Sequence, residues 1–474
     1  MANIKNSNVD DTGFIKLAVG TTAQQPGQPG QPAAAAGMIR YNTTESYVEY
    51  HDGSQWNRFV KIIPETTYGN GSAGAVTTNG QLSVATHITS TTTSQGSTSI
   101  LVSTTSGMSV GEKIFIHQTQ CASVTADAGK FEINEIASIA GNTVNLVNPT
   151  VNTYRSGTYN TTNQSSNVAQ VAVAKSYDTL TLNGLAEAKQ WDGQSGGIIF
   201  ITAKTSIDCN GHFISAFGKG YRGGRGSGVT GSQSSGYAGE SIRGHYNAEN
   251  VANDSGGAGA DGNTNSGGDS AASGGHATGG GNGTSGGGTP VGGGSIGSQA
   301  MTEIHFGGGG GRGGDNDDRT FEGFNNIDTG ANTTGSSGYA SAFSSYTSRS
   351  APGWGSENRH SANPDFSAGG GIVVIASPSI TNLRATARGF PGFYGQSASE
   401  KSGCGASGSI YVITETGGMS ITTCTVARQA QGSWDSDQMG PGSAGRIRFD
   451  IKNGTTYSGS VDITGSGTLQ VNQV

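Results

Sequence analysis

One arrangement of apolar and polar positions repeats along the C-terminal part of the chain. Ile198-Ile199-Phe200-Ile201 leads into Ile207-Asp208-Cys209 and Phe213-Ile214-Ser215-Ala216. Ile372-Val373-Val374-Ile375 leads into Ile380 and Leu383-Arg384-Ala385-Thr386-Ala387, and Ile410-Tyr411-Val412-Ile413 into Ile421 and Thr425-Val426-Ala427. Ile447-Arg448-Phe449-Asp450-Ile451 leads into Val461-Asp462-Ile463. Glycine opens each unit (Gly196-Gly197, Gly370-Gly371, Gly408, Gly445) and follows it (Gly218, Gly389, Gly432, Gly465). The pattern predicts an apolar strand, a turn and a second alternating strand in each unit, with the units stacked on one another.

Upstream, Val110-Gly111-Glu112-Lys113-Ile114-Phe115-Ile116-His117, Phe131-Glu132-Ile133-Asn134-Glu135-Ile136, Gly141-Asn142-Thr143-Val144-Asn145-Leu146 and 168–174 alternate with period two and show no helical spacing. Residues 100–176 therefore read as a β-sandwich or small barrel. Residues 37–63 read as a small three-stranded sheet with aromatics on one face, turned at Asp52-Gly53. Alone it is too small to be stable, so it is expected to pack on copies of itself or on a partner. Gln25-Pro26-Gly27-Gln28-Pro29-Gly30-Gln31-Pro32 reads as a stiff polyproline-II spacer closing an N-terminal attachment segment, 1–36. Residues 64–99, rich in Thr, Ser and Gly, are assigned as a linker, with edge strands as the other reading. The fold class is all-β throughout, with 177–474 forming a glycine-rich repeat domain.

Inside that domain, 218–371 is dense in glycine, culminating in the run Gly307 to Gly311. Interior glycines exclude a helix, at up to about 1 kcal/mol each relative to alanine, and there are too few apolar side chains for an ordinary sheet core. A flexible linker and a packed array of polyproline-II-like glycine helices remain. The ordered strands on both sides favour the array, because a free linker needs no such frame. Composition agrees: 82 glycines in 474 residues with 12 % charged residues and a net charge of −7 do not describe a solvated disordered polymer. The charge balance offers no basic stripe for nucleic acid. No window has the ~20 apolar residues of a membrane helix, and the start lacks a secretory core, so cytoplasmic synthesis without membrane insertion is expected. Cys121, Cys209, Cys404 and Cys424 show no CxxC spacing and read as buried free thiols.

Gly37-Met38-Ile39-Arg40-Tyr41-Asn42 followed by Tyr47-Val48-Glu49-Tyr50-His51-Asp52-Gly53-Ser54-Gln55-Trp56 resembles a short module of bacteriophage fibre and other virion proteins. Val110-Gly111-Glu112-Lys113-Ile114, Gly141-Asn142-Thr143-Val144-Asn145-Leu146, Trp191-Asp192-Gly193-Gln194-Ser195-Gly196-Gly197 and Gly218-Lys219-Gly220-Tyr221-Arg222-Gly223-Gly224 resemble the opening of a glycine-rich surface module of phage tail-fibre and some bacterial surface proteins. The layout of glycine runs with aromatic tips is similar to receptor-binding adhesins at phage fibre ends. The resemblance implies a virion protein that attaches through its N-terminal segment to other virion proteins. It further implies a homotrimer contacting a host surface glycan or outer-membrane protein. The alternatives are a structural virion protein (capsid decoration, sheath or fibre-packing subunit) and a bacterial surface matrix protein.

Nothing in the sequence marks a catalytic site, a cofactor or a metal centre. Asp315, Asp317 and Asp318 lie in a loop without the spaced ligands of an EF-hand and read as a solvated acidic turn. Ubiquitous Gly-x-Gly without a strand–loop–helix unit carries no dinucleotide signal. The expectation is a non-enzymatic protein. The aromatics set among glycines are the better functional candidates, since rigid rings give contact area at low entropic cost. Tyr339, Tyr346 and Trp354, in the longest unframed Ser/Gly stretch, lead the receptor-binding set, with Tyr237, Tyr246 and Phe324 beside them. The other reading of the aromatics in this region, from Tyr221 to Tyr394, is that several of them plug the ends of a thin glycine core.

Overall fold

The computed structural model describes residues 18–44, 47–58, 68–78, 82–160, 165–224, 238–244, 254–258, 271–283, 289–311, 367–390, 403–415, 419–428, 441–452 and 456–473. Its regular elements are strands and isolated 3-10 turns, so the fold is all-β as expected. The chain forms two compact units, Met1–Ile62 and Ile63–Gln473.

In the first unit, β1 (Ala18–Gly20) pairs in parallel with β2 (Ile39–Asn42), which continues antiparallel through β3 (Tyr47–His51) and β4 (Trp56–Arg58). Gly53, at φ +108°, sits in the β3–β4 turn, where the Asp52 carboxylate accepts the N–H groups of Ser54 and Gln55. The Gln-Pro-Gly stretch is not an extended spacer. Gly27 and Gly30 take positive φ and the segment folds into turns. Trp56 Nε1–H donates to the Pro26 carbonyl at 2.9 Å, and Gln25 Nε2–H to Glu49 at 2.9 Å. A polyproline-II spacer needs solvated backbone, and here the sheet offers the segment hydrogen-bond partners instead.

The second unit begins with β5 (Ala75–Thr77) and β6 (Leu82–Ser83). Then come β7 (Thr86–Ile88), β8 (Ser99–Leu101), β9 (Lys113–Cys121), β10 (Phe131–Ala140), β11 (Thr143–Leu146), β12 (Gly157–Asn160) and β13 (Ser165–Ala174), one antiparallel sheet in the order β12-β13-β9-β10-β11-β8 with β7 on β13. Bulges in β10 and β13 bend this sheet around Ile100, Ile114, Ile116, Ile136, Val144, Tyr154 and Val171, so it curls over its own core as a half-barrel. The segment assigned as a linker, 64–99, therefore contains β5 to β7 and the start of β8. Its Thr-rich strands sit on sheet edges, where β-branched polar residues suit one solvated face.

The remainder is a parallel solenoid. Its strands are β14 (Ser176–Thr181), β15 (Ala186–Glu187), β16 (Ile198–Asp208), β17 (Ile214–Ser215), β18 (Ile372–Ala376), β19 (Ser379–Thr381), β20 (Leu383–Thr386), β21 (Ser409–Thr414), β22 (Met419–Thr425), β23 (Arg446–Ile451), β24 (Tyr457–Asp462) and β25 (Thr468–Gln473). One sheet runs β25-β23-β21-β18-β16-β14-β5, with β19 also on β16; the facing sheet runs β24-β22-β20-β17-β15-β6. Among the described residues every strand pairing in both sheets is parallel. Ile199, Ile201, Val373, Ile375, Ile410, Val412, Ile447 and Phe449 of one sheet meet Ile214, Leu383, Ala385, Ile421 and Cys424 of the other in a dry core. All four cysteines are buried thiols. Burial pushes the Cys209 thiol up to about 12 and raises that of Cys424 also.

The glycine that opens each unit has a steric cause. The N–H groups of Ile372, Ser409, Arg446 and Thr468 donate to the carbonyls of Gly197, Gly371, Gly408 and Gly445 on the preceding turn. A Cβ on Gly371 would fall on the Gly197 carbonyl, one on Gly408 on that of Gly371, and one on Gly445 on that of Gly408. These glycines stack in a column. The half-barrel is inserted between β6 and β14, and residues 216–371 between β17 and β18.

Strand β5 extends the solenoid sheet at β14, so Val76, which packs against the core, should not tolerate a charge. Val76→Asp should lower stability by about 1–3 kcal/mol, the usual cost of burying an unpaired polar group. Urea denaturation of the full chain measures this; an unchanged midpoint would return the segment to linker status.

Candidate functional site

The glycine region is an array of short extended segments held by backbone hydrogen bonds. Its centre is Gly307 to Gly311. The N–H groups of Gly307 and Gly310 donate to the carbonyls of Gly370 (2.9 Å) and Ser367 (2.8 Å) in one neighbouring segment. Those of Gly308 and Gly311 donate to Gly275 (3.2 Å) and Ala272 (2.8 Å) in a second, and that of Gly309 to Glu240 (3.1 Å) in a third. The carbonyls of Gly308 and Gly311 accept from Ala406 and Gly403, each at 2.9 Å, that of Gly309 from Gly257 (2.9 Å), and that of Gly310 from Gly224 (2.8 Å). The bonding direction repeats every three residues, so one segment reaches neighbours all around it, which a flat sheet cannot do. A Cβ at any of the five positions would land on a backbone carbonyl: of Ala406, Ser255, Arg222, Gly403 and Ala258 in turn. Glycine is here because no side chain fits.

The segments alternate in direction, and this sets where the chain leaves the array. Gly224 is bonded to Gly310, Gly239 to Gly257, Ala258 to Ala272, Gly283 to Pro290, Gly281 to Pro441, Gly310 to Ser367, and Gly311 to Gly403. The stretches 225–237, 259–270, 284–288, 312–366, 391–402 and 429–440 therefore all start and finish at the same end of the array. Stretch 245–253 is rooted at the opposite end, between Gly244 and Asp254. Tyr237, Tyr246, Phe324, Tyr339, Tyr346 and Trp354 lie outside the described residues. By their roots, five of them belong to stretches of the shared end, whereas Tyr246 belongs to the other.

Three aromatics of the glycine region lie among the described residues, Tyr221, Phe306 and Phe390, and all three are buried. Phe306 is buried and meets Trp191, Tyr221 and His117 at ring-centroid distances of 5.5, 5.2 and 6.0 Å, and Phe217 meets Phe390 edge-on at 4.8 Å. Sequence reasoning missed the polar clamp beside them. The buried Glu240 carboxylate pairs with Arg222 (Nε 2.9 Å, Nη2 3.0 Å) and accepts from Trp191 Nε1 at 2.9 Å and Gln120 Nε2 at 2.8 Å. A Cβ on Gly193 would strike the Arg222 guanidinium, which explains the glycine of Trp191-Asp192-Gly193. Half-barrel, solenoid turn and array thus meet on one carboxylate. The two motifs, 191–197 and 218–224, were legible separately; that Glu240 joins them was not, since Gln120 lies 120 residues away.

His117, His276 and His305 are also buried. His117 stands between Thr119 Oγ1 (2.9 Å) and the Ile304 carbonyl (2.8 Å). His305 packs against Gly129 and Gly297, and His276 lies beside Arg446, whose guanidinium donates to the carbonyls of His276, Ile296 and Gly297. Burial holds His117 down at about 4 and His305 at about 3, and lowers His276 well below 6.5 with help from Arg446. Among the described residues no group of His, Cys, Asp and Glu is arranged to hold a metal ion. No helix among them is long and apolar enough to cross a membrane.

No family model matches the sequence, and no curated protein does. A solved structure, the Gp54 tailspike of Acinetobacter baumannii bacteriophage AP22 in complex with A. baumannii capsular saccharide, aligns with 84 % of this chain at 10 % identity and a TM-score of 0.16. The alignment spans 63 % of the tailspike chain, less than two thirds of its length. At that TM-score the likeness carries no argument about fold or function.

Two outcomes follow. Gly309→Ala should cost about 1–3 kcal/mol, since the obstructing atoms are backbone, while Gly279→Ala, whose Cβ would sit 3.5 Å from the Gly293 carbonyl, should stay within about 0.5 kcal/mol. Paired urea titrations compare them, and equal midpoints would contradict the close-packed array. The histidines set the acid response. Unfolded histidine binds a proton below about 6.5 and the folded sites do so only well below that, so their stabilisation is complete above 6.5 and lost as pH falls toward 4. The slope should approach about 1.4 kcal/mol per pH unit for each histidine. Denaturation midpoints at pH 7, 6, 5 and 4.5 should fall steadily, and His117→Gln should make the profile shallower.

Proposed function

We propose that this chain is a phage virion fibre or fibre-tip protein. It acts by adhesion without catalysis, and its glycine region is a polyglycine-II-type scaffold for host recognition. The observation that carries the reading is the common root: six stretches, 225–237, 259–270, 284–288, 312–366, 391–402 and 429–440, leave and rejoin the array at one end. A lattice held chiefly by its own backbone bonds leaves those stretches free to vary in sequence without cost to the core, which is the arrangement a recognition surface needs. The similarity of 37–56 to virion-fibre modules supports placement on the particle, with the N-terminal segment facing other virion proteins and three copies per fibre. The ligand is a host surface glycan or outer-membrane protein, for which rings and hydroxyls rather than charge are suited. Tyr339, Tyr346 and Trp354 form the leading contact set, followed by Tyr237 and Phe324; the opposite root of Tyr246 makes it the weakest member.

The test is saturable binding of labelled full-length chain to host cells, competed by unlabelled chain. The triple variant Tyr339→Ala, Tyr346→Ala, Trp354→Ala should weaken binding at least about tenfold, as loss of aromatic hot spots does, with its denaturation midpoint unchanged. Absence of binding by folded wild-type chain would sink adhesion and leave the array as a packing surface within the particle.

A further inference from the structure

Residues 295–306 join Gly294 to Gly307 of the glycine array without regular secondary structure. Ser298, Gln299, Ala300 and Thr302 are exposed, while Met301, Ile304, His305 and Phe306 are buried. Side chains hold this segment more than backbone does. From β23, Arg446 Nη2 donates to the carbonyls of Ile296 (2.9 Å) and Gly297 (3.3 Å), and Arg448 Nη1 to that of Met301 (3.0 Å). From β21, Ser409 Oγ donates to the His305 carbonyl at 2.8 Å, and from β9 of the half-barrel His117 Nε2–H donates to the Ile304 carbonyl at 2.8 Å. Its own N–H groups add Ile296 to His276, Met301 to Ser298 and Ile304 to Gly129. The segment is a strap, tied to the solenoid and to the half-barrel, that runs straight into the central glycines.

The buried groups around the strap are basic and lack a counter-charge. His117, His276, His305 and Arg446 are each at most 5 % exposed. His305 lies within electrostatic reach of His117 and Arg446, and His276 of His305 and Arg446. Nδ1 of His276, Nδ1 of His305 and Nε of Arg446 meet no hydrogen-bond partner. The carboxylates nearest along the chain are engaged elsewhere: Asp127 with Lys130 and Arg155, Asp450 with Arg448, and Glu303 with the Thr302 hydroxyl. Among the described residues no ion pair includes His117, His276, His305 or Arg446. A proton added to the closed strap would place a second charge out of water beside an unpaired guanidinium.

We infer that 295–306 is an acid-released strap, which opens as a local unit as pH falls while the solenoid strands beneath it stay folded. Opening carries His305 into water and removes the Ile304 carbonyl from His117, so the open form takes up protons that the closed form refuses. Below about pH 6.5 the opening constant should therefore grow by up to about tenfold per pH unit for each histidine that reaches water. Strands β21 and β23, which supply Ser409, Arg446 and Arg448, contain no histidine, so acid does not act on them directly.

The experiment is hydrogen exchange of the full-length chain at pH 7, 6 and 5, read on peptides by mass spectrometry and corrected for the intrinsic pH dependence of amide exchange. Peptides covering 295–306, with the bonded amides of Ile296, Met301 and Ile304, should lose protection by about tenfold or more between pH 6 and 5. Peptides covering 372–376 and 410–413 should keep theirs. His305→Gln should flatten the response of the strap, and His117→Gln, which leaves the strap's own sequence intact, should flatten it in part. Strap protection that does not change with pH, or that is lost only together with the solenoid strands, overturns the inference. So does an unaltered pH response in both histidine variants.

Discussion

Every N–H taken from water must meet a carbonyl, and in the centre of this protein there are almost no side chains to help. That constraint shapes the rest. Around Gly307 to Gly311 it is met by backbone alone, in directions that repeat every three residues. The segments lie so close that a single Cβ at any of the five positions would collide with a carbonyl. Hydrophobic burial, the usual organiser of a domain, is displaced to the periphery. It holds the two-sheeted solenoid on one side and the half-barrel on the other.

The solenoid gives the array its starting points. Parallel turns stack in register, so each strand pair delivers the chain to the same level before it enters the glycine region. Glycine recurs for the same reason in both places: backbone approaches backbone too closely for anything larger. The junction is closed by Glu240, whose carboxylate draws Arg222, Trp191 and Gln120 from three parts of the chain. A buried carboxylate with one cationic partner and neutral donors from Trp191, Gln120 and the Arg222 backbone N–H is well satisfied, and removing either side would strand a charge. His117, His276 and His305 are held neutral by burial, so each weakens the fold as pH falls.

Much of this was legible residue by residue. The continuous apolar runs at 198–201, 372–375 and 410–413 became strands buried on both faces, and the alternating 447–451 joined them, because both patterns are local information. The expected ordered flanks of the glycine run were right for the same reason. Three things were hidden. Strands β5 and β6 have too little apolar content to announce themselves and gain their place only by pairing with β14 and β15. The Gln-Pro-Gly stretch looks like a spacer until Trp56 and Glu49 supply partners 30 and 24 residues away. That the 21–36 segment covers the polar side of the first sheet, with Gln25 on Glu49, is equally invisible, because alternation reveals two faces and not what packs on either.

The sequence alone therefore determined the all-β class, the strand positions and the exclusion of helix from the glycine run, all consequences of side-chain periodicity and of what glycine costs in a helix. Tertiary structure alone decided that the turns run parallel and that the half-barrel is an insertion. It also decided that six connections share one end of the array and that Glu240 is the meeting point. Those depend on which distant backbone groups find each other, and hydrogen bonds between segments that carry no distinguishing side chains leave no trace in the order of residues.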